Sequence, residues 1–231
     1  MLPLSKKISL LAAILSFTFT SFGQFSIGVK GGGNMSSWKV TTNTPLVAAG
    51  QVFNLGYQYG YVFNFGLNDY VSIQPELLFI QKGVKQQIIE DSFYGDGEFK
   101  FIRDLNLNYL ELPLLAKLKL SDANGSTFFL TIGPSFGYAL NGKTLTEWTE
   151  YEETETNRSE SDSKQNFNQY SRFDMSASFG AGVSFPIGNG DLYLEVRYLM
   201  GLSNILKEEN EVKYSNKGLG VIAGFMIPLK I

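Results

Sequence analysis

The sequence predicts an all-β fold, an eight-stranded antiparallel up-and-down transmembrane β-barrel with short periplasmic turns and four long extracellular loops. Three observations predict it. Apolar residues recur at every second position over stretches well beyond the roughly 5–6 residues of an ordinary globular strand. No apolar run after the N-terminus is long enough for a spanning helix. The connections between the alternating stretches run long, short, long, short, long, short, long, as in outer-membrane barrels with both chain ends in the periplasm.

The N-terminus is a separate object. Lys6 and Lys7 precede an apolar segment from Ile8 to about Phe22, and Ser21, Phe22 and Gly23 offer small residues for cleavage before Gln24. Residues 1–23 therefore read as a secretory signal peptide, and 24–231 as the barrel domain.

The first strand, 25 to about 35, sets Phe25, Ile27 and Val29 against Ser26, Gly28 and Lys30. A polar loop with Trp38 and Pro45 is expected next. The second strand, about 50–66, opposes Phe53, Leu55, Tyr57, Tyr59, Tyr61, Phe63 and Phe65 to Asn54, Gly56, Gln58, Gly60 and Asn64. A tight turn at Leu67, Asn68 and Asp69 leads to the third strand. There Val71, Ile73, Leu77 and Phe79 face away from Ser72, Gln74 and Glu76, before a polar connection at about 83–99.

The clearest pair lies within 108–140. Leu110, Leu112, Leu114, Ala116, Leu118 and Leu120 oppose Tyr109, Glu111, Pro113, Lys117 and Lys119. After Asp-Ala-Asn-Gly, a hairpin signal, Phe128, Leu130, Ile132, Phe136, Tyr138 and Leu140 oppose Thr127, Thr131, Gly133, Ser135 and Gly137. Residues 141–171 are polar and read as a long loop. The sixth strand opposes Phe173, Met175, Ala177, Phe179, Ala181, Val183 and Phe185 to Asp174, Ser176, Ser178, Gly180 and Gly182. Gly188-Asn189-Gly190 is the strongest hairpin signal in the chain. The seventh strand, 191–201, opposes Leu192, Leu194, Val196 and Tyr198 to Tyr193, Glu195 and Arg197. After a charged loop, the eighth sets Leu219, Val221, Ala223, Phe225 and Ile227 against Gly218, Gly220 and Gly224.

A soluble sandwich or lipocalin-like barrel also alternates, but turns its polar face to water. The polar face here is mostly Gly, Ser, Thr and Asn, which suits the narrow lumen of a small barrel. The apolar face is rich in aromatics, as lipid-facing girdles are. The interior should be filled, so the protein should not be a general porin.

The segments YLELPLLAK and IGPSFGYAL, with GVKGGGN near the start and EVRYLMGLSNI near the end, resemble the outer-membrane β-barrel family of Bacteroidetes often called PorT-like. The resemblance spans almost the whole mature chain. It implies residence in the cell outer membrane and, for at least some members, an accessory role in protein secretion; it brings no catalytic residues.

Composition narrows the chemistry. The chain has no histidine and no cysteine, so Ser–His and Cys–His nucleophiles, and barrel enzymes that rely on histidine, are excluded. Zinc loses its usual ligands, and no cysteine is present for lipid attachment. No catalytic residue, cofactor or metal site is expected, and the reading is non-enzymatic. Removing Lys6 and Lys7 leaves 17 basic against 22 acidic residues, a net charge of −5, which does not suit nucleic acid. The expected partners are outer-membrane lipid, the barrel-assembly machinery during insertion, and an unidentified surface or secretion partner.

Three features remain. Residues 137–144 match the P-loop pattern, but an alternating strand precedes them and no helix follows, so the match reads as chance. Residues 143–164 carry seven acids against three bases; carboxylates suit calcium, but EF-hand spacing is absent and the run reads first as a solvated loop. Finally, Lys30, Glu76, Glu111, Lys117, Glu195 and Arg197 fall on the polar face. Paired carboxylates serve acid–base chemistry in some sites, but charges inside a barrel must be paired, so these six are expected to form an internal ion-pair network.

Overall fold

The computed structural model describes residues 24–41, 51–91, 98–122, 125–149, 156–162, 170–207 and 212–229. The expected signal peptide lies outside them. The strands are β1 (Gln24–Thr41), β2 (Gln51–Val52), β3 (Asn54–Gly66), β4 (Val71–Asp91), β5 (Glu98–Ser121), β6 (Thr127–Thr149), β7 (Thr156–Asp162), β8 (Phe173–Ile187), β9 (Gly190–Gly201) and β10 (Lys213–Leu229). Every pairing is antiparallel. Going round, β4, β3, β1, β10, β9, β8, β6 and β5 form a ring that the β4–β5 pairing closes. Closure leaves no sheet edge at membrane depth, where an unpaired backbone group would find no water.

The three short turns and both described chain ends lie at one end of the ring. Each turn is built by its own residues. Asn68 Oδ1 accepts from the backbone N–H groups of Tyr70 and Val71 at 2.9 and 2.8 Å. Asp122 Oδ1 accepts from Ser126 N at 2.8 Å. Gly188 adopts φ +61°, the left-handed conformation that the third hairpin requires and glycine allows.

The apolar face points outward along the whole spanning region: Leu110, Leu112, Leu114, Leu118, Leu130, Ile132, Leu194 and Val196 are all exposed. Tyr57, Tyr59 and Phe79 stack on the outer surface, with centroids 5.3 Å apart for Tyr59 and Phe79. The small and polar residues opposite them are buried.

Several strands run further than the alternation suggests. A tilted crossing needs about 9–11 residues, yet β4, β5 and β6 have 21, 24 and 23. The expected loop at 141–171 holds the end of β6 and all of β7, which pair from Lys143↔Asp162 to Thr149↔Thr156. Trp38 is likewise not in a loop: it lies in β1 and is buried. Beyond the membrane no lipid face imposes an apolar period, so most of these extensions read as polar connections. β5 is the exception, where Phe99, Phe101, Leu105 and Leu107 alternate with Glu98, Lys100, Asp104 and Asn106. A β-bulge adds to this. Tyr109 opposes Ala139 while Asn108 opposes Asn141, leaving Leu140 unpaired and reversing which parity faces inward. The P-loop-like string at 137–144 crosses this bulge within continuous strand, with no helix to seat a phosphate.

Facing is directly testable. Ile132 is 55% exposed near the middle of its crossing, so Ile132→Arg should weaken folding into lipid vesicles by about 2–4 kcal/mol. Ile132→Leu should fold as wild type does. Urea titration of vesicle-folded protein, with the heat-dependent gel shift of folded barrels as readout, measures both.

Candidate functional site

The lumen is filled in layers. The described residues include eight buried charges: Lys30, Lys82, Lys117, Arg197, Glu76, Glu111, Asp174 and Glu195, four of each sign. Strand parity puts all of them inside, because each occupies the face opposite the outward apolar series.

The central layer is built on Arg197 of β9. Its Nη1 and Nη2 donate to Glu76 Oε2 and Oε1 at 2.6 and 2.9 Å. Its Nε donates to Glu195 Oε1 at 2.9 Å. Glu76 belongs to β4, four places from β9 round the ring of eight, so this two-pronged contact spans the diameter. Lys30 of β1 donates to the same Glu76 carboxylate, and Gln74 Nε2 donates to it at 2.7 Å. Thr131 Oγ1 donates to Glu195 at 3.0 Å. Gly180 makes room for that contact: a Cβ there would sit 2.3 Å from both Thr131 Oγ1 and Glu195 Oε1.

The second layer lies further from the turns. Lys82 Nζ stands 2.6 Å from Glu111 Oε2 and 3.2 Å from Asp174 Oδ2. Ser135 donates to Glu111, and Asn216 and Ser203 donate to Asp174 at 2.9 and 2.8 Å. Above it sits an apolar cap of Trp38, Ile80, Leu105, Leu107, Tyr109, Tyr170 and Ile205. Trp38 meets Tyr214 edge-on at 5.7 Å between centroids. The chain after β9 folds over this end, held by Ser171 N donating to Ile205 O at 2.6 Å and Ile205 N donating to Tyr214 O at 2.8 Å. The inner face is thus mostly polar in its lower and middle parts and mostly apolar at the cap.

Of the six expected residues, Lys30, Glu76, Glu195 and Arg197 come together in one cluster. Glu111 stands in the other cluster, paired with Lys82. Lys117 has no ion-pair partner within 4 Å among the described residues; its ammonium lies over the Phe129 ring at 3.9 Å and near the Tyr193 ring at 5.6 Å. Lys82 and Asp174 belong to the site as fully as the six. Parity could have found Lys82, since it continues the even series from Ser72, and Asp174 lies on the polar face of its strand.

Chemically this lumen braces and blocks. Each of the four carboxylates already meets a cation, and no cluster of His, Cys, Asp or Glu suited to a metal ion occurs among the described residues.

A family model and one solved structure agree with this architecture. A family model described as outer membrane protein beta-barrel domain matches residues 16–207. The solved structure of the outer membrane protein OprG from Pseudomonas aeruginosa is similar at a TM-score of 0.50 and 10% identity, covering 91% of this chain and 99% of that one. Neisserial surface protein A gives a TM-score of 0.43 at 12% identity, over 88% and 96% of the two chains. Ail of Yersinia pestis gives 0.35 at 16%, over 89% and 99%. No curated protein matches the chain.

Breaking the central layer should be costly. Arg197→Met leaves Glu76 and Glu195 with too little compensation, and should lower stability in detergent micelles by about 3–5 kcal/mol. Adding Glu76→Gln should recover part of that loss, so the double variant falls short of the sum of the singles. Urea unfolding of the four proteins measures the coupling.

Proposed function

We propose, since this chain belongs to the outer membrane protein beta-barrel domain family and resides in the outer membrane, that it is a non-enzymatic surface-interaction protein which presents its extended strands to partners outside the cell. The single observation that carries this reading is the height of the wall. Beyond the membrane, β2, β4, β5, β6 and β7 continue as one sheet, paired in that order. On the other side, β8 and β9 stop at Phe173 and Gly201. A barrel that only anchored itself would not need strands of twice the crossing length. The blocked lumen supports the same reading, because it leaves the outer end as the place where the protein meets other molecules.

The orientation follows the rule for this class, with short turns and both chain ends in the periplasm. The signal peptide at 1–23 provides the export that such a location requires. The absence of histidine and cysteine supports a non-enzymatic role.

A second reading rests on the motifs that resemble the PorT-like family, and gives the protein an accessory role in secretion across the outer membrane. The two readings separate in a deletion strain complemented with a trimmed barrel, in which 86–103 is replaced by Asn-Gly; Gln86 and Arg103 are cross-strand partners, so the register below is kept. Under the surface reading, the trimmed protein inserts but fails to recover partners by cross-linking on intact cells. Full recovery of partners by the trimmed protein would overturn it, and a secretion defect rescued by the trimmed barrel would favour the second reading.

Topology has its own test. Epitope tags placed in 42–50, 92–97 and 208–211 should be labelled on intact cells, and a tag at Gly188 should be labelled only after permeabilisation. The reverse pattern would invert the orientation.

A further inference from the structure

At the turn end, below the central ion-pair layer, the lumen opens into a vestibule of about 810 Å³. Its size is that of a small-molecule site. Lys117 lines it at the inner end, with only 7% of its surface exposed. No hydrogen bond, and no ion pair within 4 Å, engages its ammonium among the described residues. Two aromatic faces lie against it, and the Glu195 and Glu76 carboxylates of the layer above attract it from further off. This sets it apart from the other three buried cations, each of which meets a carboxylate within 4 Å. A buried ammonium with three donors needs acceptors as well as rings. Tyr193 lines the same space, and its hydroxyl is buried with no hydrogen-bond partner.

We propose that this vestibule binds a small carboxylate-bearing molecule from the periplasm, with the Lys117 ammonium as the anchor for the carboxylate. The rest of the lining says what kind. Ser26, Asn64, Thr127 and Ser184 offer hydroxyl and amide groups, which suit a polar body. Two residues nearer the mouth on their own strands stand Lys119 on β5 and Asp191 on β9, with Asp69 in the turn beside them. The layer above carries two acids and two bases and is neutral. A dianion would meet one buried cation and a rim where Asp69 and Asp191 outnumber Lys119; a monoanion whose other end is neutral or cationic fits better. A free amino acid or short peptide has that charge distribution, with its carboxylate inward at Lys117 and its ammonium outward at Asp191. This goes beyond the surface role proposed above and depends on it only for the side from which the ligand arrives.

The test uses the whole barrel folded in detergent micelles, with the Lys117 side chain observed by NMR during titration with glycylglycine. The expected result is a saturable shift of the Lys117 signals, with a dissociation constant on the order of 1 mM or tighter. Glycylglycinamide, which lacks the carboxylate, should bind at least about tenfold more weakly. That comparison needs no variant. Lys117→Gln, shown to be folded by its gel shift, should lose the response, whereas Lys39→Gln, at the far end of β1 and outside the vestibule, should keep it. Absence of a saturable shift, equal binding of the amide, or tighter binding of inorganic phosphate would each overturn the proposal. Binding in micelles is independent of membrane orientation, so its failure would leave the tag-labelling result untouched.

Discussion

Arg197 ties opposite walls of the barrel together through the space where a pore would run. Its guanidinium grips Glu76 across the full diameter and Glu195 on its own strand, while Lys30 closes on Glu76 from a third strand. Water compensates charges poorly in so narrow a lumen, so Glu76, Glu111 and Asp174 each take a cation from another strand. Buried ion pairs add little net stability over a well-packed apolar core, but they tolerate very few arrangements. A one-residue slip of β4 against its neighbours would carry Glu76 from lumen to lipid. The central layer therefore fixes register around the ring, and with it the facing of every outward leucine and phenylalanine.

The remaining features follow from the same inversion of inside and outside. Lipid accepts the large apolar side chains, so they alternate outward with little need for mutual packing. The lumen takes what is small, polar or paired: Ser135 and Thr131 donate to carboxylates, and Gly180 yields space to both Glu195 and Thr131. Above Lys82 the interior becomes apolar, and Trp38, Tyr109 and Ile205 close it as an ordinary protein core would. Below Lys117 it opens again. The molecule is thus a closed cylinder with a polar recess towards the periplasm and a tall sheet towards the outside.

The membrane-crossing part was legible in the sequence because lipid writes a period of two into any strand that faces it. Ile132 and Thr131, or Leu194 and Glu195, can be sorted by parity alone. Where strands leave the lipid, that signal fades from most of them, and on β5 it persists only because Leu105 and Leu107 face the apolar cap. Thr144 and Thr146 give no hint that β6 continues, and the bulge at Leu140 reverses the parity that a reader would extrapolate. Trp38 suggested a loop because polar residues surround it, although it points into the capped lumen. All eight buried charges could be placed by parity, although only six were expected from the sequence, but parity does not give their partners. Choosing Lys82 as the partner of Glu111, and aromatic rings as the neighbours of Lys117, requires knowing which strands lie across the ring, and alternation does not encode that.

The central claim is that ion pairs and the apolar cap close the lumen to ions. Conductance of the purified barrel in planar lipid bilayers tests it most directly. The account predicts no steady open level, with at most brief and irregular currents, because an eight-stranded wall encloses side chains and not a water column. Long-lived, reproducible conductance steps of uniform size from pure protein would show a continuous aqueous path past Arg197, and would contradict it.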